Sequence, residues 1–261
     1  MTAKVSVRAE GRVTVVTIER ADCRNAIDLE TARTLFDAFK GFDADASAAV
    51  AVLTGAGGAF SAGADIKALA EGDFEPIEPD GEFGPMGPTR LKLGKPVIAA
   101  VEGPAIAGGM ELALWCDLRI AARSAVFGFF NRRFGMPIVD VGTIRLPRIV
   151  GHGRALELIL TGRPVGAEEA LRIGLVNELT EDGGALARAV ALAQTLCGFP
   201  QTAMRNDRRS AIEQWDLRGP AAIANEVTRG LATVASGETL AGLARFQGGA
   251  GRHGSFVSES E

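Results

Sequence analysis

One local plan recurs along the chain: a short apolar strand, a glycine-rich break, then a helix. Val13 to Ile18 is a β-branched run, and Leu29 to Phe42 after it places Leu35, Phe36, Phe39 and Phe42 at helical spacing. Val50-Ala51-Val52-Leu53 stops at Thr54-Gly55-Ala56-Gly57-Gly58, and a helix restarts near Asp65-Ile66-Lys67. Val97 to Val101 breaks at Glu102-Gly103-Pro104 before Met110 to Trp115 resumes as a helix. A recurrence of roughly 45 residues predicts stacked β-β-α turns in an α/β fold, in preference to a hairpin meander.

After Gly151 the pattern turns helical: His152 to Leu160, Ala167 to Ile173, Ala185 to Leu196, Thr202 to Trp215, Pro220 to Ser236 and Thr239 to Phe246. No linker-like composition separates this last third, so the expected organisation is a core over residues 1–200 and a helical extension over 201–261 that completes the pocket and the subunit contacts. Between Glu71 and Gly94 the sequence is acidic and broken by proline and glycine. Such a segment reads either as a lid or as a disordered surface insertion.

The chain has 261 residues, 47% of them hydrophobic, which suffices for one or two packed domains. A formal net charge of −4, with basic and acidic residues interspersed, gives no basic footprint for nucleic acid. Cys23, Cys116 and Cys197 are far apart, odd in number and outside any C-x-x-C spacing, so neither a disulfide framework nor a zinc site is indicated, and no metal is expected. The segment Met1-Thr2-Ala3-Lys4-Val5 lacks an apolar signal core, and Glu102 and Glu111 interrupt the most apolar stretch before it could span a bilayer. A cytoplasmic protein with no membrane partner is expected.

Two glycine-rich turns carry the chemistry. Phe60-Ser61-Ala62-Gly63-Ala64-Asp65 precedes one helix, and Gly103 to Glu111, with Gly108-Gly109 inside it, precedes another. Each leaves backbone N–H groups free where a helix dipole is positive. Two such groups aimed at one point would make an oxyanion hole, worth about 3 to 4 kcal/mol per donor. Glycine at a helix entry also serves plain packing. Gly55-Ala56-Gly57-Gly58-Ala59-Phe60 lacks the third small residue of a dinucleotide fingerprint, and no P-loop lysine follows either turn. Ala59-Phe60-Ser61-Ala62-Gly63 approximates a nucleophile elbow, the mark of a serine hydrolase, yet its strand ends about seven residues too early. Neither His152 nor His253 accompanies Ser61 in a triad-like arrangement.

Several blocks together resemble the crotonase (enoyl-CoA hydratase/isomerase) superfamily. They are Leu53-Thr54-Gly55 through Phe60 to Lys67, Lys95-Pro96-Val97 through Gly108-Gly109-Met110-Glu111-Leu112-Ala113, Leu160-Thr161-Gly162-Arg163 with Gly174-Leu175-Val176, and Arg24-Asn25-Ala26. The likeness spans nearly the whole chain in the same block order. It implies a crotonase-type spiral of β-β-α turns with a C-terminal helical region, an acyl-CoA thioester as substrate, and a homotrimer or hexamer. It implies no cofactor other than the coenzyme A carried by that thioester. The oxyanion donors fall on the N–H groups of Ala64 and Gly108. The resemblance also assigns coenzyme A contacts to Arg24, Ala26, Ala62, Asp65, Ile66 and Lys67, with Arg24 and Lys67 facing its phosphates or serving as solvated surface charges.

Hydratases of the best-known type in that family use two glutamates. Glu111 matches the first, although a first-turn glutamate also favours its own helix dipole. The second position falls on Asn131, which can orient a water but cannot exchange a proton near neutral pH. Asp140, nine residues on, lies where other branches place an acid, base or nucleophile, and its context equally fits an N-cap for a helix beginning near Gly142. Phe127, Phe129, Phe130 and Phe134 are expected in the core more than in the acyl pocket. Hydration of a 2-enoyl-CoA is the favoured expectation. The alternatives are isomerisation or other enolate chemistry through Asp140, and a non-catalytic acyl-CoA binder.

Overall fold

A computed structural model describes residues 3–251. The chain divides into two compact units, Met1–Cys197 and Gly198–Glu261.

Among the described residues the first unit holds nine strands: β1 (Val5–Glu10), β2 (Val13–Ile18), β3 (Val50–Gly55), β4 (Val97–Val101), β5 (Pro104–Ile106), β6 (Leu118–Ala122), β7 (Val126–Gly128), β8 (Val165–Gly166) and β9 (Glu178–Thr180). Its helices are α1 (Leu29–Ala44), α2 (Ile66–Ala70), α3 (Gly108–Trp115), α4 (Gly142–Val150), α5 (His152–Thr161), α6 (Ala167–Arg172) and α7 (Ala185–Cys197). The main sheet runs β1-β2-β3-β4-β6-β9, antiparallel between β1 and β2 and parallel thereafter. A small sheet, β5-β7-β8, stands beside it.

The apolar runs of β3 and β4 are continuous because both faces of the sheet are covered. Val50, Val52, Ile98 and Ala100 pack beneath Ala185, Ala189, Val190 and Ala193 of α7. Their neighbours Ala51, Leu53, Val97, Ala99 and Val101 point the other way, toward Leu35 and Phe39 of α1 and Met110 and Leu112 of α3. Asp28 starts α1 by accepting the Thr31 N–H at 2.9 Å. Glu102, just past β4, accepts the N–H groups of Gly183 and Ala185 and so fixes the start of α7.

The spiral of strand, turn and helix matches the expected fold class, with differences at its edges. β1 is a strand the apolar pattern does not disclose, because only Val5 of its six residues is buried. The region after Gly151 is not purely helical: β8 and β9 lie within it, the latter closing the main sheet against β6. Three partly buried residues are too few to write a strand period into the sequence.

The second unit contains α8 (Gln201–Glu213), α9 (Gly219–Ala235) and α10 (Glu238–Gln247). Glu238 accepts the first N–H groups of α8 from Thr202 and Ala203, each at 2.9 Å, and Glu213 of α8 meets Arg229 of α9. Ile223, Leu231, Leu240, Leu243 and Phe246 are exposed on it. No helix among the described residues is long and apolar enough to cross a membrane.

Candidate active site

The two glycine-rich turns are drawn together by backbone bonding. Ser61 bridges Ala105 of β5: its N–H donates to the Pro104 carbonyl at 3.0 Å, and its own carbonyl accepts the Ile106 N–H at 3.0 Å. The contact admits no side chain, since a Cβ on Gly109 would sit 2.2 Å from the Ser61 carbonyl oxygen. One on Gly63, whose φ is +85°, would lie 2.9 Å from the Gly108 nitrogen. Ala107, between β5 and α3, is held at φ 52° and ψ −120°, a conformation that costs an alanine about 1 to 3 kcal/mol. Gly108 follows it at the first position of α3. Among the described residues, neither the Ala64 nor the Gly108 N–H has an acceptor in the chain. Both residues border a cavity of about 310 Å³ that Glu111, Asn131 and Asp140 also line.

Glu111 sits in the first turn of α3, 3% exposed. Its Oε1 accepts two backbone N–H groups, from Asp140 at 2.8 Å and from Gly142 at 2.9 Å. Gly142 opens α4, so the carboxyl caps a helix other than its own. Burial, seconded by the negative charge of Asp140, pushes its pKa up to about 8, against the opposing pull of those two N–H bonds and of Arg145. An acid titrating there can give and take a proton near neutral pH.

Asp140 is 2% exposed, and it does not cap α4. The capping position is Val141, at φ 71° with no side-chain bond, while the Asp140 carboxylate turns to the other side. Its Oδ1 accepts the Met86 N–H at 3.1 Å and the Thr89 hydroxyl. Burial raises its pKa, countered by the Thr89 and Met86 bonds and by Arg90 and Arg145. Asn131 is buried in the 3-10 turn Phe130–Phe134. Its Nδ2 donates to the carbonyls of Met136 at 3.0 Å and Pro137 at 3.2 Å, which fixes the amide orientation. The buried Oδ1 has no donor, so this side chain offers an acceptor only.

The coenzyme A candidates are gathered along one edge. The Ala62 N–H donates to the Arg24 carbonyl at 2.9 Å, the Ile27 N–H to Gly63 at 2.8 Å, and the Asp65 N–H to Ile27 at 2.9 Å. This stitching sets Arg24 and Ala26 beside Ala62, Asp65 and Ile66. Arg24 and Lys67 are exposed, and Ile66 is exposed at the cavity rim. The Asp65 carboxylate is engaged in the fold: it caps α2 and pairs with Arg20 at 2.9 Å. Ser61 is fully buried, and its hydroxyl donates to the Asn25 carbonyl at 2.8 Å, which leaves no role for it as a nucleophile. His152 is exposed at the start of α5, and His253 lies outside the described residues. Phe127 and Phe129 are core, whereas Phe130 and Phe134 line the cavity; Phe134 is 72% exposed at its mouth, contrary to a core assignment.

Several residues matter to which the sequence alone assigns no role. Asn25, fully buried at φ 56°, donates to the carbonyls of Ala56 and Ala59 and accepts the Arg20 N–H, tying the first turn to the strand before it. Met86, Thr89 and Arg145 surround Asp140, and only their three-dimensional meeting reveals them. The segment after Glu71 is neither wholly exposed nor apart from the site. Phe74, Ile77, Phe83 and Met86 line the cavity, and Thr89 is fully buried.

Residues 8–248 match the family model described as enoyl-CoA hydratase/isomerase. The chain is 37% identical over 211 residues to the enoyl-CoA hydratase EchA19 of Mycobacterium tuberculosis, covering 79% of each chain. It is 40% identical over 201 residues to the carnitinyl-CoA dehydratase of Escherichia coli, covering 75% of each. The crystal structure of enoyl-CoA hydratase EchA1 from Mycobacterium marinum superposes with a TM-score of 0.88 at 37% identity, over 94% of this chain and 95% of that one.

Proposed function

The chain belongs to the enoyl-CoA hydratase/isomerase family, and from that premise we propose that it adds water across the 2,3 double bond of an enoyl-CoA thioester. The observation that carries the reading is the pairing of two acceptor-less amides, Ala64 and Gly108, with the buried carboxyl of Glu111 on one cavity. A thioester oxygen between those amides would have its enolate charge stabilised as it forms. Glu111, as carboxylate, takes a proton from the attacking water and returns one to C2, while the oxygen bonds to C3; the water is consumed whole. Asn131 Oδ1 accepts the second water hydrogen and so orients the nucleophile without exchanging a proton. Hydration consumes only water and thioester, so the coenzyme A of the substrate is the one cofactor-like group required. Arg24 and Lys67, exposed near the edge formed by residues 62–66, are the cations for its phosphates.

One observation favours a second reading: Asp140 supplies another carboxyl on the same cavity, while Asn131, which the resemblance puts at the second-glutamate position, is an amide. Under that reading the enzyme shifts the double bond, with Glu111 and Asp140 dividing the proton transfers. We further infer a cytoplasmic homotrimer or hexamer, supported by cysteines that are not cross-linked and by the exposed apolar side chains of α9 and α10.

Purified protein assayed against enoyl-CoA esters of increasing chain length, by loss of the enoyl thioester absorbance, tests the proposal. Hydration by the wild type and a loss of at least about a hundredfold in Glu111→Gln support it. Thioester binding with no turnover of any ester identifies a non-catalytic binder instead.

A further inference from the structure

The proton carrier and the wall of the cavity are fastened to each other through one side chain. Residues 84–89 form a tight turn in which Gly84 and Gly87 exchange backbone bonds, 3.0 Å and 2.7 Å. On one side it presses on α1, where a Cβ on Gly87 would meet the Ala32 carbonyl at 2.3 Å. On the other it presses on Asp140, where a Cβ on Gly84 would lie 2.6 Å from Oδ1. Met86 projects from this turn onto the oxyanion turn, so close that a Cβ on Gly108 would meet its sulfur at 2.3 Å. Asp140 Oδ1 binds the Met86 N–H and the Thr89 hydroxyl, while the N–H of the same aspartate donates to Glu111 Oε1. Arg145 seals the junction from behind, donating to the carbonyls of Thr89 at 2.6 Å and Asp140 at 3.1 Å.

We propose that Asp140 is a positioning residue that fastens the cavity wall at residues 84–89 to the turn holding the Glu111 carboxyl, aligning the acyl pocket, the oxyanion turn and the proton carrier through one side chain. The inference rests on the hydratase reading of Glu111 and goes beyond it, since Asp140 here acts through other groups and exchanges no proton with substrate. Its carboxylate also bears on the ionisation of Glu111. The charged groups about the pair are Arg145 from α4 and Arg90 from the covering segment, and Cys116, just past α3, and Arg148 act in turn on Arg145.

The test compares Asp140→Asn, Thr89→Val and Glu111→Gln in the full chain, with kcat and KM for a short and a long enoyl-CoA followed across pH. Asp140→Asn keeps an acceptor for Met86 and Thr89 but removes the charge. The Glu111 ionisation in its kcat/KM profile should move to lower pH by about one unit, with a far smaller loss of kcat than in Glu111→Gln. Thr89→Val loosens the wall and leaves the charge, so KM for the long ester should rise severalfold while the pH profile stays in place. An Asp140→Asn protein as inactive as Glu111→Gln at every pH would make Asp140 a proton carrier and overturn the proposal. An unchanged KM for the long ester in Thr89→Val, beside an inactive Glu111→Gln, would overturn it alone. Full activity of Glu111→Gln would remove the hydratase reading of that residue, and the proposal with it.

Discussion

Glu111 is held in the fold with its acid form favoured, which links stability to pH in a definite direction. Its folded pKa of about 8 lies above the ordinary 4.5. Between those values the unfolded chain releases a proton that the folded one keeps, so this group's contribution to stability falls as pH rises through the window and levels off above it. Glu111→Gln, which keeps an acceptor for the Asp140 and Gly142 N–H groups, should therefore gain in Tm relative to wild type on going from pH 5 to pH 8. Thermal unfolding at the two pH values checks this. Asp28 behaves oppositely: its pKa is lowered from 3.8 to about 2 by bonds to Lys4 and Thr31 and by the Arg20 charge, against its burial. The stability it adds is present above about pH 4 and is lost as pH falls through 2, so Asp28→Asn should destabilise at pH 7 and make little difference near pH 2. In Asn131→Asp a carboxylate oxygen would face the Met136 and Pro137 carbonyls that the amide now satisfies, and a fall in Tm is expected. The block around Glu111 made that residue readable in the sequence. Asp140 was readable as a candidate only, because its bonds to Met86 and Thr89 span more than fifty residues and leave no local pattern.

At the scale of elements, the site depends on how closely β5 and the entry of α3 approach the Ser61 turn. Gly109→Ala would push a methyl against the Ser61 carbonyl, and overpacking of that kind costs about 1 to 3 kcal/mol. The variant should lose both Tm and hydration activity, since widening the contact also separates Ala64 from Gly108; circular dichroism melting with the absorbance assay tests it. Most elements were legible because apolar residues recur at 3.6-residue spacing in the helices, and β3 and β4 are uniform apolar runs. The illegible ones have structural reasons. β1 buries one residue, β8 has two residues and β9 three, so their existence depends on neighbouring strands more than on their own composition. The start of α4 misleads for a related cause: its first N–H is met by Glu111 from another helix, where the sequence offers the adjacent Asp140.

For the whole molecule, coenzyme A thioesters should raise the melting temperature by mass action while NAD leaves it unchanged. Light scattering should find a trimer or hexamer in place of a 27.2 kDa monomer. The order of the main sheet carries a different consequence. From β1 to β4 each strand pairs with the one made just before it, and β6 and then β9 extend the same growing edge. A chain emerging from the ribosome therefore never needs a partner that has yet to be synthesised. The sheet can grow by addition at one side, and an amino-terminal fragment ending after β4 already owns four neighbouring strands in native order. The closing strand, β9, arrives last and is short, so among the strand edges that the fold later pairs, the one beside β6 waits longest during synthesis, and a stalled chain is exposed there to pairing with another.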